Sequence, residues 1–420
     1  MTVPHATLDH SRPSLIRDAS FIRLCLAQTI STFGAKVFSI AIPVWILADR
    51  AEGPAALGAL FAARTTATSL LLMVGGVLSD RVPRKVLMVG AELVLSATVA
   101  TLAFLPSDVP FAAILILFIV AGGADAFFTP ASQSLLFDLA GADRLESANA
   151  ISTLLVRVTG LIGPAFGGLL VVAIGIHAAL LIHSSTSLIS AVAVASTRHV
   201  VAARSVAPMN ARALWRDASE GIRATMTTGW LRAVLLSDLS QTLFAVAPWF
   251  VLLPITLVPQ GAADYAVAVA AFAAGGLLGA LTPLKWQPRA IGRAALLAQA
   301  LFALPLVALA LHAPLPLLAA TVVIGGYGAD LGAVLFVTGL QRGVPREMLG
   351  RITALSYLGS VALLPAGFAL AGALALPVGV EPILLTGVAV IATATSLALR
   401  TSGVTYMGTR PQPPLTNRAS

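Results

Sequence analysis

Apolar runs of roughly 20 residues recur along the chain from Phe21 to Leu399, and each is long enough to cross a bilayer as a helix. A transmembrane β-barrel would instead alternate apolar and polar residues over about ten-residue strands, and these runs are continuous. Composition agrees: 58% of the 420 residues are hydrophobic and only 10% are charged, whereas a soluble domain is about a quarter charged. The runs fall near residues 21–48, 55–79, 86–106, 110–138, 147–174, 177–196, 229–258, 262–284, 291–312, 314–341, 350–376 and 380–399. They predict an all-α integral membrane protein with twelve transmembrane helices. The first twenty residues are polar and hold no apolar core of a signal peptide, so the first span is expected to insert itself. Cys25 is the only cysteine, which excludes an intrachain disulfide.

A net charge of +8 suggests nucleic acid, but the positions of the charges argue otherwise. Outside the apolar runs, Lys and Arg gather at the two ends and in the even-numbered connections, as at Arg81, Arg84, Lys85, Arg144, Lys285, Arg289, Arg342 and Arg346. The opposite connections hold only Arg50. This is the positive-inside pattern, and it places both termini in the cytoplasm. The same basicity favours anionic lipid. No nucleic-acid partner is expected.

The longest polar stretch, 197–228, divides the spans six and six. The chain therefore reads as a cytoplasmic segment (1–20), a six-helix bundle (21–196), a cytoplasmic linker (197–228), a second bundle (229–400) and a cytoplasmic tail (401–420). Ala211–Ala224 has the spacing of an amphipathic helix lying on the membrane surface. The halves echo one another in order: FIRLCLAQ with WLRAVLLS (Arg23 with Arg232), IPVW with APWF, RVPRK with KWQPRAIGR, VAGGADAFF with IGGYGADLG, and IGPAFGGLL with LLPAGFALAG. Trp45 and Trp249 are expected at the outer interface, where such rings anchor. Two six-helix repeats with a site between them is a secondary-transporter plan.

Ionisable groups inside the spans cost at least about 2.5 kcal/mol each near the bilayer centre, so their presence implies pairing, a wet cavity or function. They are Lys36, Arg64, Glu92, Asp125, Arg157, Asp238 and Asp330. Asp125 and Asp330 occupy matching places in the two repeats. Asp125 lies about 19 Å, and Arg157 about 15 Å, above the cytoplasmic ends of their helices, so an ion pair between these neighbouring spans is allowed. Glu92 and Arg64 read as structural. His183 reads as a hydrogen-bonded helix histidine, with a proton relay as the alternative. Asp80 to Lys85 form a tight turn between spans two and three, and Gly76, one turn earlier, permits close helix approach. Pro164 in span five removes a backbone hydrogen bond, while Gly160, Gly163, Gly167 and Gly168 make a smooth packing face.

These residues, with FFTPASQSLL (Phe127–Leu136), SANAISTLLVRVTGLIGPAFGG (Ser147–Gly168) and LQRGVPREMLGRITAL (Leu340–Leu355), resemble the major facilitator superfamily over about residues 20–400. Within it, they resemble most the drug:proton antiporter branch that includes macrolide efflux proteins and the enterobactin exporter. The resemblance implies the major facilitator fold, two pseudo-symmetric six-helix bundles. It implies that Lys36, Asp125, Asp238 and Asp330 lie on cavity-lining spans. It also implies that Gly76, Asp80, Arg81, Arg84 and Lys85 form a state-dependent cytoplasmic latch, with Pro83 where many members carry glycine. The span-five glycines and Pro164 match a signature of antiporters, with Thr159 in place of one usual glycine.

Phosphate-cradling loops, metal-ligand clusters and soluble domains are absent from the sequence, so neither an enzyme nor a cofactor or metal site is expected. The expected protein is a monomeric multidrug-type efflux antiporter of a bacterial inner membrane. Its expected partners are protons, membrane lipid and a small amphiphilic substrate. Arg157, Asp125, Asp330, Asp238 and Lys36 are the candidates for proton coupling or substrate binding. A proton-coupled uptake symporter and a non-transporting sensor are the alternatives.

Overall fold

A computed structural model describes residues 15–50, 52–106, 108–198, 219, 222–405 and 407. The first half holds α1 (Ala19–Val44), α2 (Pro54–Arg81), α3 (Arg84–Ala103), α4 (Phe111–Ala140), α5 (Leu145–Ile174) and α6 (Ile176–Ala195). The second half holds α7 (Gly229–Gln241), α8 (Ala247–Leu257), α9 (Ala262–Leu281), α10 (Ile291–Ala300), α11 (Ala303–Ala310), α12 (Leu315–Gly343), α13 (Arg346–Leu374) and α14 (Val380–Arg400). Among the described residues there is no strand. Eleven segments are long and apolar enough to cross a membrane, with α7 and α8 joined into one and α10 and α11 into another. The remaining long helix, α13, has 29 residues, which span about 44 Å at the helical rise. The chain is thus an all-helical multi-pass membrane protein. Most of the linker and tail, including nearly all of the expected surface helix, lies outside the described residues.

The sequence explains the helix ends. The Asp18 carboxylate accepts from the Ser20 amide at 2.9 Å and caps α1, satisfying a donor that has no partner in the first turn. A single residue, Gly175, joins α5 to α6 with φ +83°, a conformation that a side chain would strain. Backbone groups inside hydrocarbon must pair within the segment, which the long helices achieve. A π-helical turn at Trp45–Asp49 ends the first span of the first half, and one at Thr242–Val246 interrupts the first span of the second.

Within the first half α2 packs on α4, α3 on α4 and α6, and α1 on α5 and α6; within the second, α9 packs on α12, α10 on α12, and α14 on α7 and α11. The two halves use the same device at corresponding contacts. A Cβ at Gly275 would lie 2.8 Å from the Val323 carbonyl carbon on α12, and one at Gly122 would lie 3.0 Å from that of Arg64 on α2. Small residues at these places let backbones approach closely, which in hydrocarbon is a main source of helix association. Gly75 rather than Gly76 makes the approach of α2 to α4, meeting Ala126 and Phe127. A Cβ at Gly76 would meet nothing within 4 Å, because Gly76 is turned one residue away from that contact.

Trp45 and Trp249 are each 2% exposed and belong to the core, not to an interfacial belt. Trp249 meets Phe302 edge to face at 5.7 Å, and the Arg50 guanidinium covers Trp45 at 5.6 Å. The first residues after α14 are not a loose tail either, since Val404 and Met407 are fully buried against Gly292 and Gly339.

The halves meet along two seams, α2 on α13 and α5 on α9. Both close on the face away from the termini, here called the distal face. There Gly58 faces Gly372, Phe61 meets Phe368 at 5.8 Å, and Tyr265 donates to the Ser39 carbonyl at 3.2 Å. Toward the terminal face the halves part. A Cβ at Gly160 would meet nothing within 4 Å, and Leu154, on the α5 face that carries Gly168, is 58% exposed. Leucine at position 58 would drive its Cβ into the Phe368 carbonyl and to 2.9 Å from Gly372. Gly58→Leu is expected to shift spin-label distances across the distal ends of α2 and α13 to longer values; an unchanged distribution would show that the seam does not need this glycine.

Candidate functional site

The ionisable groups sort into pairs, and the pairing follows helix faces. Gly122 and Asp125 are three residues apart on α4, hence on one face. Gly122 packs against Arg64 of α2, so Asp125 is carried to the same helix. The Arg64 guanidinium binds Asp125 Oδ2 through Nη2 at 2.8 Å and Nε at 3.0 Å. The same guanidinium lies 5.0 Å from the Phe38 ring centre, a cation–π contact. The ion pair of Asp125 with Arg157 that sequence position allowed is therefore not made.

Arg157 turns the other way. Gly168 lies eleven residues further along α5, three helical turns, and so shares its face. Gly168 meets Ala266 of α9, so this face of α5 looks at the second half. Arg157 Nη1 accordingly donates to Asp330 Oδ2 on α12, an ion pair between the halves. The two side chains are 42% and 29% exposed. Gly276 of α9 backs the carboxylate, since a Cβ there would lie 2.6 Å from Oδ2.

The other candidates stand apart from this bridge. Lys36 on α1 is half-buried with its stem against Gly163, and it has no acidic partner among the described residues. Asp238 on α7 accepts from Ser360 Oγ of α13 at 2.6 Å. Glu92 is 1% exposed, accepts from Ser190 Oγ at 2.9 Å between α3 and α6, and lies away from the bridge. His183 is fully buried, 5.2 Å from the Phe38 ring, and neither ring nitrogen has a hydrogen-bond partner among the described residues. The expected hydrogen-bonded histidine is thus corrected. Packing by Gly34 and Phe38 holds the ring instead.

Of the span-five signature, Gly163 packs on Lys36, Gly167 on Val37 and Gly168 on Ala266, while Gly160 packs on nothing. Thr159 is buried and donates to the Leu155 carbonyl at 2.7 Å. Pro164 sits inside an unbroken helix. In the basic turn, Arg84 is 7% exposed, pairs with Asp138 of α4 and donates to the Ser134 carbonyl at 3.0 Å. Lys85 Nζ donates to the Thr197 carbonyl at 2.8 Å. Arg81 is exposed, and the Asp80 side chain lies outside the described residues. Arg84 and Lys85 therefore tie the turn into the first half.

Sequence reasoning missed Asp138 and the buried Gln28. Gln28 donates to Ser132 Oγ and accepts from Ser152 Oγ at 3.0 Å, linking α1, α4 and α5. The available signal for Asp138 was an acid at the very end of an apolar run, level with the basic turn. Removing one partner of a buried pair leaves an uncompensated charge and costs about 3–5 kcal/mol. Arg84→Met should therefore lower the thermal unfolding midpoint in detergent sharply, and Arg84→Met with Asp138→Leu should recover most of the loss.

This architecture, eleven membrane-length apolar segments and the long helix α13 in two halves bridged by an ion pair, defines a class of two-repeat helical membrane proteins. The sequence profile described as Major Facilitator Superfamily matches residues 24–361, and the chain belongs to that family. It is 25% identical over 181 residues to the uncharacterized MFS-type transporter YfiS of Bacillus subtilis (strain 168), and the match covers 43% of each chain. Its structure is similar to a bacterial homolog of the human lysosomal transporter Spinster in an inward-facing, unoccupied conformation. That similarity has a TM-score of 0.71 at 16% identity and covers 96% of this chain and all of that one. The nucleoside transporter NupG also has a TM-score of 0.71, at 13% identity, with 90% of this chain and 97% of that chain covered. These likenesses establish the fold.

Proposed function

We propose that this protein is a secondary transporter that exports small amphiphilic molecules in exchange for protons, by rocking of its two halves. The observation that carries this reading is the Arg157–Asp330 pair, which bridges the halves at half-exposed positions. A pair on one rigid body is structural, whereas a pair across a moving seam is remade in every cycle. When the halves rock and the bridge is broken, Asp330 exchanges its guanidinium for a proton. When the bridge is remade, Arg157 displaces that proton toward the terminal face. Alternating access needs such a two-state element with different contacts in each state.

The terminal face is taken as cytoplasmic from the positive-inside distribution, in a bacterial inner membrane. The structure then corresponds to the state open to the cytoplasm, in which an exporter loads. Small residues and phenylalanines along the seams, among them Phe61 and Phe368, favour an apolar or amphiphilic solute. Asp125 is bound within one half, so it is read as a stabiliser of α2 against α4 rather than the coupling acid. Gly76, Asp80 and Arg81 are proposed to close against the second half in the opposite state, with Arg84 and Lys85 anchoring the turn. The protein is proposed to act as a monomer, as a transporter rather than an enzyme.

The test is accumulation of antibiotics, dyes and siderophores in an efflux-deficient bacterium carrying native, Asp125→Asn or Asp330→Asn protein at equal membrane level. Native protein is expected to lower accumulation of at least one compound, and an uncoupler to abolish the effect. Asp330→Asn is expected to lose at least about tenfold in transport, the scale of removing one 1.4 kcal/mol interaction, and to lose its response to the uncoupler. Asp125→Asn is expected to lose protein stability while keeping coupled transport. Raised accumulation with native protein would assign uptake symport instead, and coupling retained by Asp330→Asn would end the claim for this acid.

A further inference from the structure

We propose that the terminal end of the α10–α12 groove is a binding site for one anionic phospholipid. Residues 289, 293, 297 and 301 recur every four positions and form one stripe up α10 and its flanks. They are Arg, Arg, Leu and Leu in order from the terminal face inward. At the helical rise each step is about 6 Å. The stripe is therefore cationic for about 6 Å and apolar for the next 6 to 12 Å, the order of a phospholipid headgroup and the start of its chain.

The groove beneath has a volume of about 560 Å³ and is bounded by Trp286, the arginine pair, Leu297, Leu301 and Leu331. Leu297 and Trp286 are each 46% exposed. Trp286 stands at the rim, where an indole prefers the headgroup layer. Arg289 and Arg293 are exposed, and neither forms an ion pair with an acid among the described residues. Guanidinium groups suit phosphate oxygens, which they bind through paired N–H donors. Topology alone requires positive charge at this face, but it does not require two arginines stacked on the open end of an apolar groove. Basic pockets of this kind between transmembrane helices recognise anionic headgroups.

The test is thermal unfolding of the purified full chain in detergent with added phosphatidylglycerol, phosphatidylcholine of the same chains, or inorganic phosphate. Phosphatidylglycerol is expected to raise the midpoint by several degrees and the other two to leave it unchanged. Arg289→Gln with Arg293→Gln should remove more than half of that rise, while Arg289→Lys with Arg293→Lys keeps most of it and separates lost charge from lost folding. Phosphatidylglycerol carrying brominated chains should quench the fluorescence of native protein more than that of Trp286→Phe protein. Equal stabilisation by both lipids, or an undiminished rise in the glutamine variant, would overturn the site. Stabilisation by inorganic phosphate alone would reassign it to a free anion and overturn the lipid proposal.

Discussion

Hydrocarbon offers neither a hydrogen-bond partner to a peptide group nor a solvent shell to a charge, and most of this structure answers those two facts. The first makes every crossing a helix, so the polar backbone is satisfied within each segment. The second decides where ionised side chains can sit. Arg64 with Asp125, Arg84 with Asp138 and Arg157 with Asp330 are each brought together from different helices. Their geometry is set by the small residues next to them, because a helix pair must approach closely before short acids can be reached. Gly122 beside Asp125 and Gly276 behind Asp330 are the clearest cases.

The pairs differ in what they join. Arg64–Asp125 and Arg84–Asp138 lie inside the first half and hold α2 or α3 to α4, so they move as part of one body. Arg157–Asp330 joins the two bodies. The same chemistry joins helices of one half in two places and the two halves in the third, and only the position of the seam distinguishes them. That difference is why the coupling role is proposed for Asp330 rather than for Asp125.

The distal seam is closed tightly by small residues and an aromatic pair. Gly58 against Gly372 and Gly168 against Ala266 bring backbones together without interlocking large side chains. Close backbone approach at these residues supplies the van der Waals packing that holds helices together in hydrocarbon.

Much of the fold was legible in the sequence. Unbroken apolar runs of membrane length determined the crossings, the polar break near 197–228 divided them, and the matched order of motifs indicated two repeats. These features are local, because a bilayer tests each segment's length and hydropathy nearly independently of its neighbours. The intramembrane charges were legible for the same reason. Their partners were not. Whether Asp125 meets Arg64 or Arg157 depends on the rotation of α4 about its axis, and glycines on the packed face set that rotation. Whether Trp45 anchors at an interface or fills a core depends on what lies across from it. The bridge between Arg157 and Asp330 joins residues far apart in sequence, and only the closing of the two halves against each other brings them into contact.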